Sequence, residues 1–115
     1  MKQPLRIGLI GMGGFAAAHH ATIARLEDRG ECKLVCTCDP QAADFAAQQQ
    51  LWKFDTRGVK VFDDYRAMLE HCHRELDLVV TPTPIQLHAE MHAAAAAYGL
   101  PSYLEKPPTL DYREL

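Results

Sequence analysis

The stretch Gly11-Met12-Gly13-Gly14-Phe15-Ala16 decides the fold of this 115-residue chain. It follows an apolar run, Leu5–Ile10, whose composition predicts a buried strand. It precedes an alanine-rich segment, residues 17–26, that favours a helix. A strand, a glycine turn and a helix in this order are the context of a dinucleotide-binding fingerprint, here in the form G-x-G-x-x-A.

Each small residue of this motif has an expected role. Gly11 permits a tight turn out of the strand, Gly13 lets the backbone approach a pyrophosphate, and Ala16 lets the helix pack close to the strand. The free N–H groups and the positive dipole end of the helix would face the phosphates. We therefore expect Gly11, Gly13, Gly14, Phe15 and Ala16 to bind a cofactor. The alternative is an ordinary strand-to-helix turn without a ligand.

Composition and charge narrow the class of protein. With 48% hydrophobic residues and this length, the chain predicts one globular domain. A net charge of −3 gives no reason to expect nucleic acid or an anionic membrane as a partner. No apolar run approaches the roughly 18 residues of a membrane span, and no signal-peptide pattern is found. We expect a cytoplasmic protein.

The four cysteines point to buried thiols. Cys32, Cys36 and Cys38 fall at even spacing in or beside one predicted strand, which predicts that they share one face of it. Cys72 falls on a predicted helix, and no C-x-x-C pair occurs. Reduced, buried thiols are the expected state in a cytosolic protein.

Two histidine patterns resemble metal sites but are not expected to bind a metal. In His71-Cys72-His73, neighbouring helical residues point apart. His88 and His92 lie four residues apart, but the segment is His-Ala-Glu-Met-His, with the acid one place late for the H-E-x-x-H motif. We expect no metal.

Asp39 follows the second predicted strand, residues 33–38. It lies 28 residues after Gly11 (39 − 11), whereas the fingerprint places an acid about 20 residues on. A carboxylate there can accept hydrogen bonds from the adenosine ribose and would repel a 2′-phosphate, which favours NAD over NADP. The alternative is that Asp39 caps the following helix, and the two roles are compatible.

The remaining chain alternates helices and strands. Residues 41–50 favour a helix, residues 58–62 a third strand, residues 76–80 a fourth and residues 102–104 a fifth. Asp63 or Asp64 is expected to cap a helix, and two helices carry apolar stripes at helical spacing, namely Tyr65, Met68, Leu69 and Cys72, then Leu87, Met91, Ala94, Ala95 and Tyr98. Gly99 is expected to end the second of these helices.

Five strands alternating with helices predict an α/β fold: a Rossmann-type, doubly wound parallel sheet in a three-layer α/β/α arrangement. In such sheets ligands bind beyond the carboxyl ends of the strands. Four segments follow strands and should gather at that edge: Gly11–Ala16, Asp39, the loop Thr81-Pro82-Thr83-Pro84, and Glu105-Lys106-Pro107.

The chain resembles the N-terminal nucleotide-binding domain of the Gfo/Idh/MocA family, the NAD(P)-dependent sugar and cyclitol oxidoreductases. The residues that carry the resemblance are the glycine motif, His19, Asp39, Thr83-Pro84 with His88, and Glu105-Lys106-Pro107. The resemblance implies hydride transfer between nicotinamide and a C–OH group of a sugar, cyclitol or related polyol.

The resemblance also implies roles for single residues. Lys106 would lie near the nicotinamide as the catalytic residue that holds substrate or tunes proton transfer. Glu105 and the loop of Thr81, Thr83 and Pro84 would line the nicotinamide end, together with His88. The chain departs from the family pattern at Ala16, where glycine is usual, and at Pro108.

The family pattern includes a second, substrate-binding domain, whereas this sequence stops at Leu115 after a D-x-x-E capping box at residues 111–114. We therefore expect a truncated chain that is inactive alone and that self-associates as a homo-oligomer. Two other functions remain open from the residues: a non-catalytic NAD-binding sensor or partner module, and a methyltransferase binding S-adenosylmethionine.

Overall fold

Five parallel strands form one sheet in the order β3-β2-β1-β4-β5. The computed structural model describes residues 4–13, 15–81 and 85–104, with the backbone alone for residues 15, 85–88, 103 and 104. The strands are β1 (Leu5–Ile10), β2 (Cys32–Cys38), β3 (Lys60–Phe62), β4 (Leu78–Thr81) and β5 (Ser102–Leu104). All four strand pairs are parallel. The predicted Rossmann-type sheet is confirmed.

Helices connect successive strands and lie on both faces of the sheet. They are α1 (Phe15–Asp28), α2 (Ala46–Leu51), α3 (Phe54–Arg57), α4 (Tyr65–Cys72) and α5 (Ile85–Ala97), with short 3-10 turns at Ala42–Phe45 and His73–Glu75. No helix of the described segments is long and apolar enough to cross a membrane.

Two hydrophobic clusters, one on each face, hold the three layers together. Cluster A packs α1 and α3 against the sheet and comprises Ile7, Leu9, Ile23, Cys32, Leu34, Phe54 and Val80. Cluster B packs α4 and α5 against the other face and includes Ile10, Cys36, Cys38, Met68, Leu69, Cys72, Val79, Met91 and Ala95. Burial of this apolar surface is the main stabilising contribution to the fold.

The expectation that three cysteines share one face of β2 is wrong. Cys32 lies in cluster A, whereas Cys36 and Cys38 lie in cluster B. The register explains this change: Ile7 pairs with Leu34, but the next residue, Gly8, pairs with Cys36. The extra residue of β2 is a β-bulge, which reverses the alternation of faces beyond it.

The segment after β2 differs from the single helix predicted for residues 41–50. A 3-10 turn and the short helices α2 and α3 replace it, with Lys53 between the two helices in the left-handed region at φ 56°. Alanine and glutamine favour a helix only weakly, so local propensity alone does not set the length of the element.

The other predicted helices are largely confirmed. The side chain of Asp64 accepts a hydrogen bond from Arg66 N–H and caps α4, whose residues Met68, Leu69 and Cys72 are buried. Gly99, at φ 75°, follows the end of α5. Tyr98 departs from the prediction, because it is 41% exposed and stacks on His73 instead of entering the core.

Candidate functional site

The glycine turn connects β1 to α1 at the carboxyl edge of the sheet. Gly11 has φ 110°, a backbone conformation that residues other than glycine rarely adopt. Its N–H group donates to the carbonyl oxygen of Cys38, at 2.6 Å, which ties the turn to the end of β2. Gly11 therefore has the turn geometry that the sequence predicts for it.

The carboxylate of Asp39 is bound to the same turn. Its Oδ2 accepts a hydrogen bond from Met12 N–H at 3.0 Å, and its Oδ1 accepts one from Gln41 N–H at 2.9 Å. The second bond closes a turn within the loop, and the 3-10 turn that follows has no side-chain cap, so Asp39 is not a helix cap. Each carboxylate oxygen keeps a further lone pair that can accept a hydroxyl donor.

A pocket of about 350 Å³ opens beside Asp39. Its walls are the ends of β1 and β2, the residues after β3 and the middle of α5, namely Ile10, Gly11, Cys38, Asp39, Pro40, Asp63, Asp64, Tyr65, Glu90 and Met91. This size lies within the range of small-ligand and cofactor sites. Apolar walls beside several carboxylates can accommodate an aromatic group that carries hydroxyl donors.

The outer wall of this pocket joins α4 to α5. The hydroxyl of Tyr65 donates to Glu90 Oε1 at 2.6 Å, and the guanidinium of Arg66 pairs with the same oxygen. The hydrogen bond from Tyr65, then Arg66, lowers the pKa of Glu90. Burial and the bond to Glu90 raise the pKa of Tyr65 to about 12, so the phenol stays protonated and keeps donating.

Gly13 lies against an aromatic ring of its own chain. A Cβ atom at this position would stand 3.1 Å from Phe45 Cζ. Ala16 is buried, and its N–H donates to the carbonyl oxygen of Gly13 at 3.0 Å, which agrees with the close packing expected of it. Contact with a pyrophosphate stays a prediction for both residues.

A residue that sequence reasoning did not assign to the site contacts the glycine turn from the side of α1. His20 is fully buried, with Nε2 3.0 Å from the carbonyl oxygen of Gly11. The signal was present in the sequence, because the buried residues of α1 recur at helical spacing, namely Ala16, His19, His20 and Ile23.

Several predicted site residues lie outside the described parts of the chain. They are Gly14, Thr83, Pro84, Glu105 and Lys106, together with the side chains of Phe15 and His88. Thr81 is described and is the buried last residue of β4, not the first residue of a loop. Within the described segments, no group of three or more His, Cys, Asp or Glu side chains is placed to hold a metal ion.

Comparison with known proteins identifies the same fold. The model of an oxidoreductase family with an NAD-binding Rossmann fold matches residues 5–115. A search of the curated proteins finds no match.

Three solved structures illustrate the likeness. The chain is similar to myo-inositol 2-dehydrogenase from Lactobacillus plantarum, with 28% identity, a TM-score of 0.68, and coverage of 97% of this chain and 31% of that one. It is similar to scyllo-inositol dehydrogenase from Lactobacillus casei with bound NAD(H) and scyllo-inositol, with 25% identity, a TM-score of 0.70, and coverage of 95% and 30%. It is also similar to the WlbA dehydrogenase from Bordetella pertussis in complex with NADH and UDP-GlcNAcA, with 26% identity, a TM-score of 0.73, and coverage of 97% and 32%. The chain thus spans about a third of the length of each.

Proposed function

Because the chain belongs to the oxidoreductase family with an NAD-binding Rossmann fold, we propose that it binds NAD in preference to NADP. In this proposal residues 1–115 are the nucleotide-binding domain of an enzyme that transfers a hydride between nicotinamide and a C–OH group of a sugar, cyclitol or related polyol.

The position of Asp39 is the observation that carries the cofactor preference. Its carboxylate stands between the glycine turn and the pocket, with lone pairs left for ribose hydroxyls. Two further carboxylates of the pocket, Asp63 and Asp64, add negative charge at the same edge. Like charges close together are destabilising, so the dianionic 2′-phosphate of NADP would be disfavoured here.

The residues present fit the cofactor at its adenosine end. Gly11 supplies the turn, Asp39 the acceptors, and the walls of Ile10 and Met91 an apolar surface for the base. Burial raises the pKa of the Cys38 thiol to about 12, so this wall stays uncharged. When bound, the nicotinamide supplies the hydride chemistry, and the protein orients it.

The substrate class rests on the names of similar proteins. Two of them are inositol dehydrogenases and one was solved with a nucleotide sugar. We propose a polyol or sugar hydroxyl as the reacting group, with Lys106 holding the substrate or exchanging a proton, and with Glu105, Thr81, Thr83, Pro84 and His88 at the nicotinamide end.

Calorimetric titration with NAD and NADP tests the cofactor preference. We expect wild type to bind NAD more tightly, and Asp39→Asn to narrow the gap by about tenfold, the equivalent of about 1.4 kcal/mol. Asp28→Asn is the matched control, because it removes one exposed carboxylate at the far end of α1, outside the pocket beside Asp39. Wild-type preference for NADP, or an equal change in the control, would overturn the proposal.

Activity is tested by following NADH absorbance with a panel of inositols and sugars. Turnover of at least one polyol is expected from the protein as it occurs in the cell. NAD binding without turnover of any polyol or sugar would support a non-catalytic sensor instead.

A further inference from the structure

We propose that His20 is a positioning residue for the nucleotide site. It holds the carbonyl group of Gly11, while Asp39 holds the N–H group of the same peptide unit, and together they orient the glycine turn before the cofactor binds. The inference rests on the proposed binding of NAD, and goes beyond it by assigning a function to a buried side chain of α1.

The hydrogen bond defines the state of the ring. Nε2 of His20 lies 3.0 Å from the carbonyl oxygen of Gly11, which can only accept, so Nε2 must carry the proton. The hydroxyl of Thr37 lies 3.4 Å from the same nitrogen and itself donates to the carbonyl oxygen of Leu9 at 2.7 Å. Among the described residues Nδ1 of His20 has no hydrogen-bond partner.

The ring is enclosed by aromatic side chains. Trp52 stacks on it with the centroids 4.4 Å apart, and Phe54 lies at 5.5 Å. Burial lowers the pKa of His20 to about 4, assisted by the charges of Arg57 and His19 and opposed by the bond to Gly11. The imidazole is therefore neutral near pH 7 and carries one bare nitrogen in an apolar setting.

Burial of an imidazole with an unpartnered Nδ1 is costly, so we expect the donor on Nε2 to have a function. A buried nitrogen without a partner loses its bonds to water and gains none in exchange, a cost that a phenyl ring of similar shape would avoid. The one polar contact that His20 makes with the glycine turn is the bond to Gly11.

The bond acts on a peptide unit whose orientation glycine does not fix by itself. The hydroxyl of Thr37 also reaches the carbonyl oxygen of Gly11, but at 3.4 Å its contact is longer than that of His20. Gly11 lacks a Cβ atom, so its φ of 110° is one of several accessible values. The Gly11–Met12 peptide is held at its oxygen by His20 and at its nitrogen by Asp39. Two bonds on opposite ends of one peptide group fix its plane, and hence the direction in which the turn leads into α1.

Two variants separate hydrogen bonding from packing. His20→Phe keeps an aromatic ring against Trp52 but removes the donor. His20→Gln loses the ring but keeps an N–H donor at a similar distance from the backbone. We expect His20→Phe to weaken NAD binding by roughly 3- to 10-fold, the loss typical of one hydrogen bond, and His20→Gln to stay within about 2-fold of wild type. A purely structural role for the ring predicts the reverse order.

Ile23→Val is the matched control for stability. Ile23 lies about one turn further along α1, belongs to cluster A and does not line the pocket beside Asp39. We expect it to lower stability slightly with NAD affinity unchanged. If Ile23→Val weakens NAD binding as much as His20→Phe does, the positioning role is refuted.

A second measurement does not depend on NAD binding at all. Nitrogen NMR of the His20 ring should show the proton on Nε2, and hydrogen exchange of the Met12 amide should be slow in wild type and His20→Gln but fast in His20→Phe. If the wild-type protein shows this NMR and exchange pattern but does not bind NAD, the proposed function is overturned and the role of His20 in orienting the turn stands. A proton on Nδ1, or equal Met12 exchange in all three proteins, would overturn the role of His20.

Discussion

The ring of Phe45 packs against Gly13, so that a methyl group at Gly13 would stand 3.1 Å from Cζ and 3.3 Å from Cε1 of that ring. Contacts this short require the ring to move by a few tenths of an ångström. Packing within the protein therefore favours glycine at this position, in addition to any demand made by a bound pyrophosphate.

We expect Gly13→Val to lower both NAD affinity and stability, because the branched side chain meets Phe45 before any ligand arrives. The double variant with Phe45→Ala separates the two effects. Relief of the clash should recover about 1 kcal/mol of the free energy of unfolding, while NAD affinity by calorimetry stays low. Recovery of affinity in the double variant would mean that Gly13 does not face the pyrophosphate.

We expect the folded protein to lose stability in acid because His20 is buried in its neutral form. Its pKa is lowered to about 4 in the folded protein, chiefly by burial, against about 6.5 in an unfolded chain. The unfolded state therefore binds the proton first, and stability from this group is present above about pH 6.5 and is lost as pH falls toward about 4. The loss amounts to about 3 kcal/mol.

Urea denaturation of wild type and His20→Phe between about pH 7 and about pH 4 measures this effect. The difference between the two curves isolates His20 from the carboxylates that titrate in the same range. Parallel curves for the two proteins would contradict the lowered pKa.

The sequence was sufficient for the sheet because its strands are apolar runs that end at turn residues or acids. Leu5–Ile10 was predicted to the residue, and the alternation of strands and helices implied the parallel order. The bulge in β2 could not be predicted, since even spacing of cysteines looks the same with or without an extra residue in the register. The left-handed backbone conformation of Lys53 could not be predicted either, because tertiary packing overrides a weak local preference for helix.

For the site, the position of Asp39 after β2 was predictable from chain order, but its bond to Met12 N–H was not. Phe45 and His20 reach the glycine turn from different elements, and a motif gives no information on such tertiary neighbours.

The ion pair between Glu27 and Arg57 joins α1 to α3, and both side chains are largely buried, with Glu27 16% exposed and Arg57 15% exposed. Glu27 Oε2 also accepts Leu34 N–H at 3.2 Å. We expect Glu27→Ala to cost about 2–3 kcal/mol in urea denaturation, because it leaves the cation of Arg57 without its counter-ion and the N–H group of Leu34 without its side-chain acceptor. Glu75→Ala is the control, since its pair with Lys60 is exposed and should contribute under about 1 kcal/mol. Equal losses would show that burial does not distinguish the two pairs.

All four cysteines are buried, and none of them forms a disulfide. Burial raises the pKa of Cys32 to about 11 and that of Cys36 further still, so little thiolate is present near pH 8. We expect a chromogenic disulfide reagent to label none of the thiols in the folded protein within minutes, and all four after unfolding in urea. Ala47→Cys, on the exposed surface of α2, serves as the positive control and should react at once. Rapid labelling of the native thiols would show that the core opens readily, whereas fewer than four reactive thiols after unfolding would reveal a disulfide.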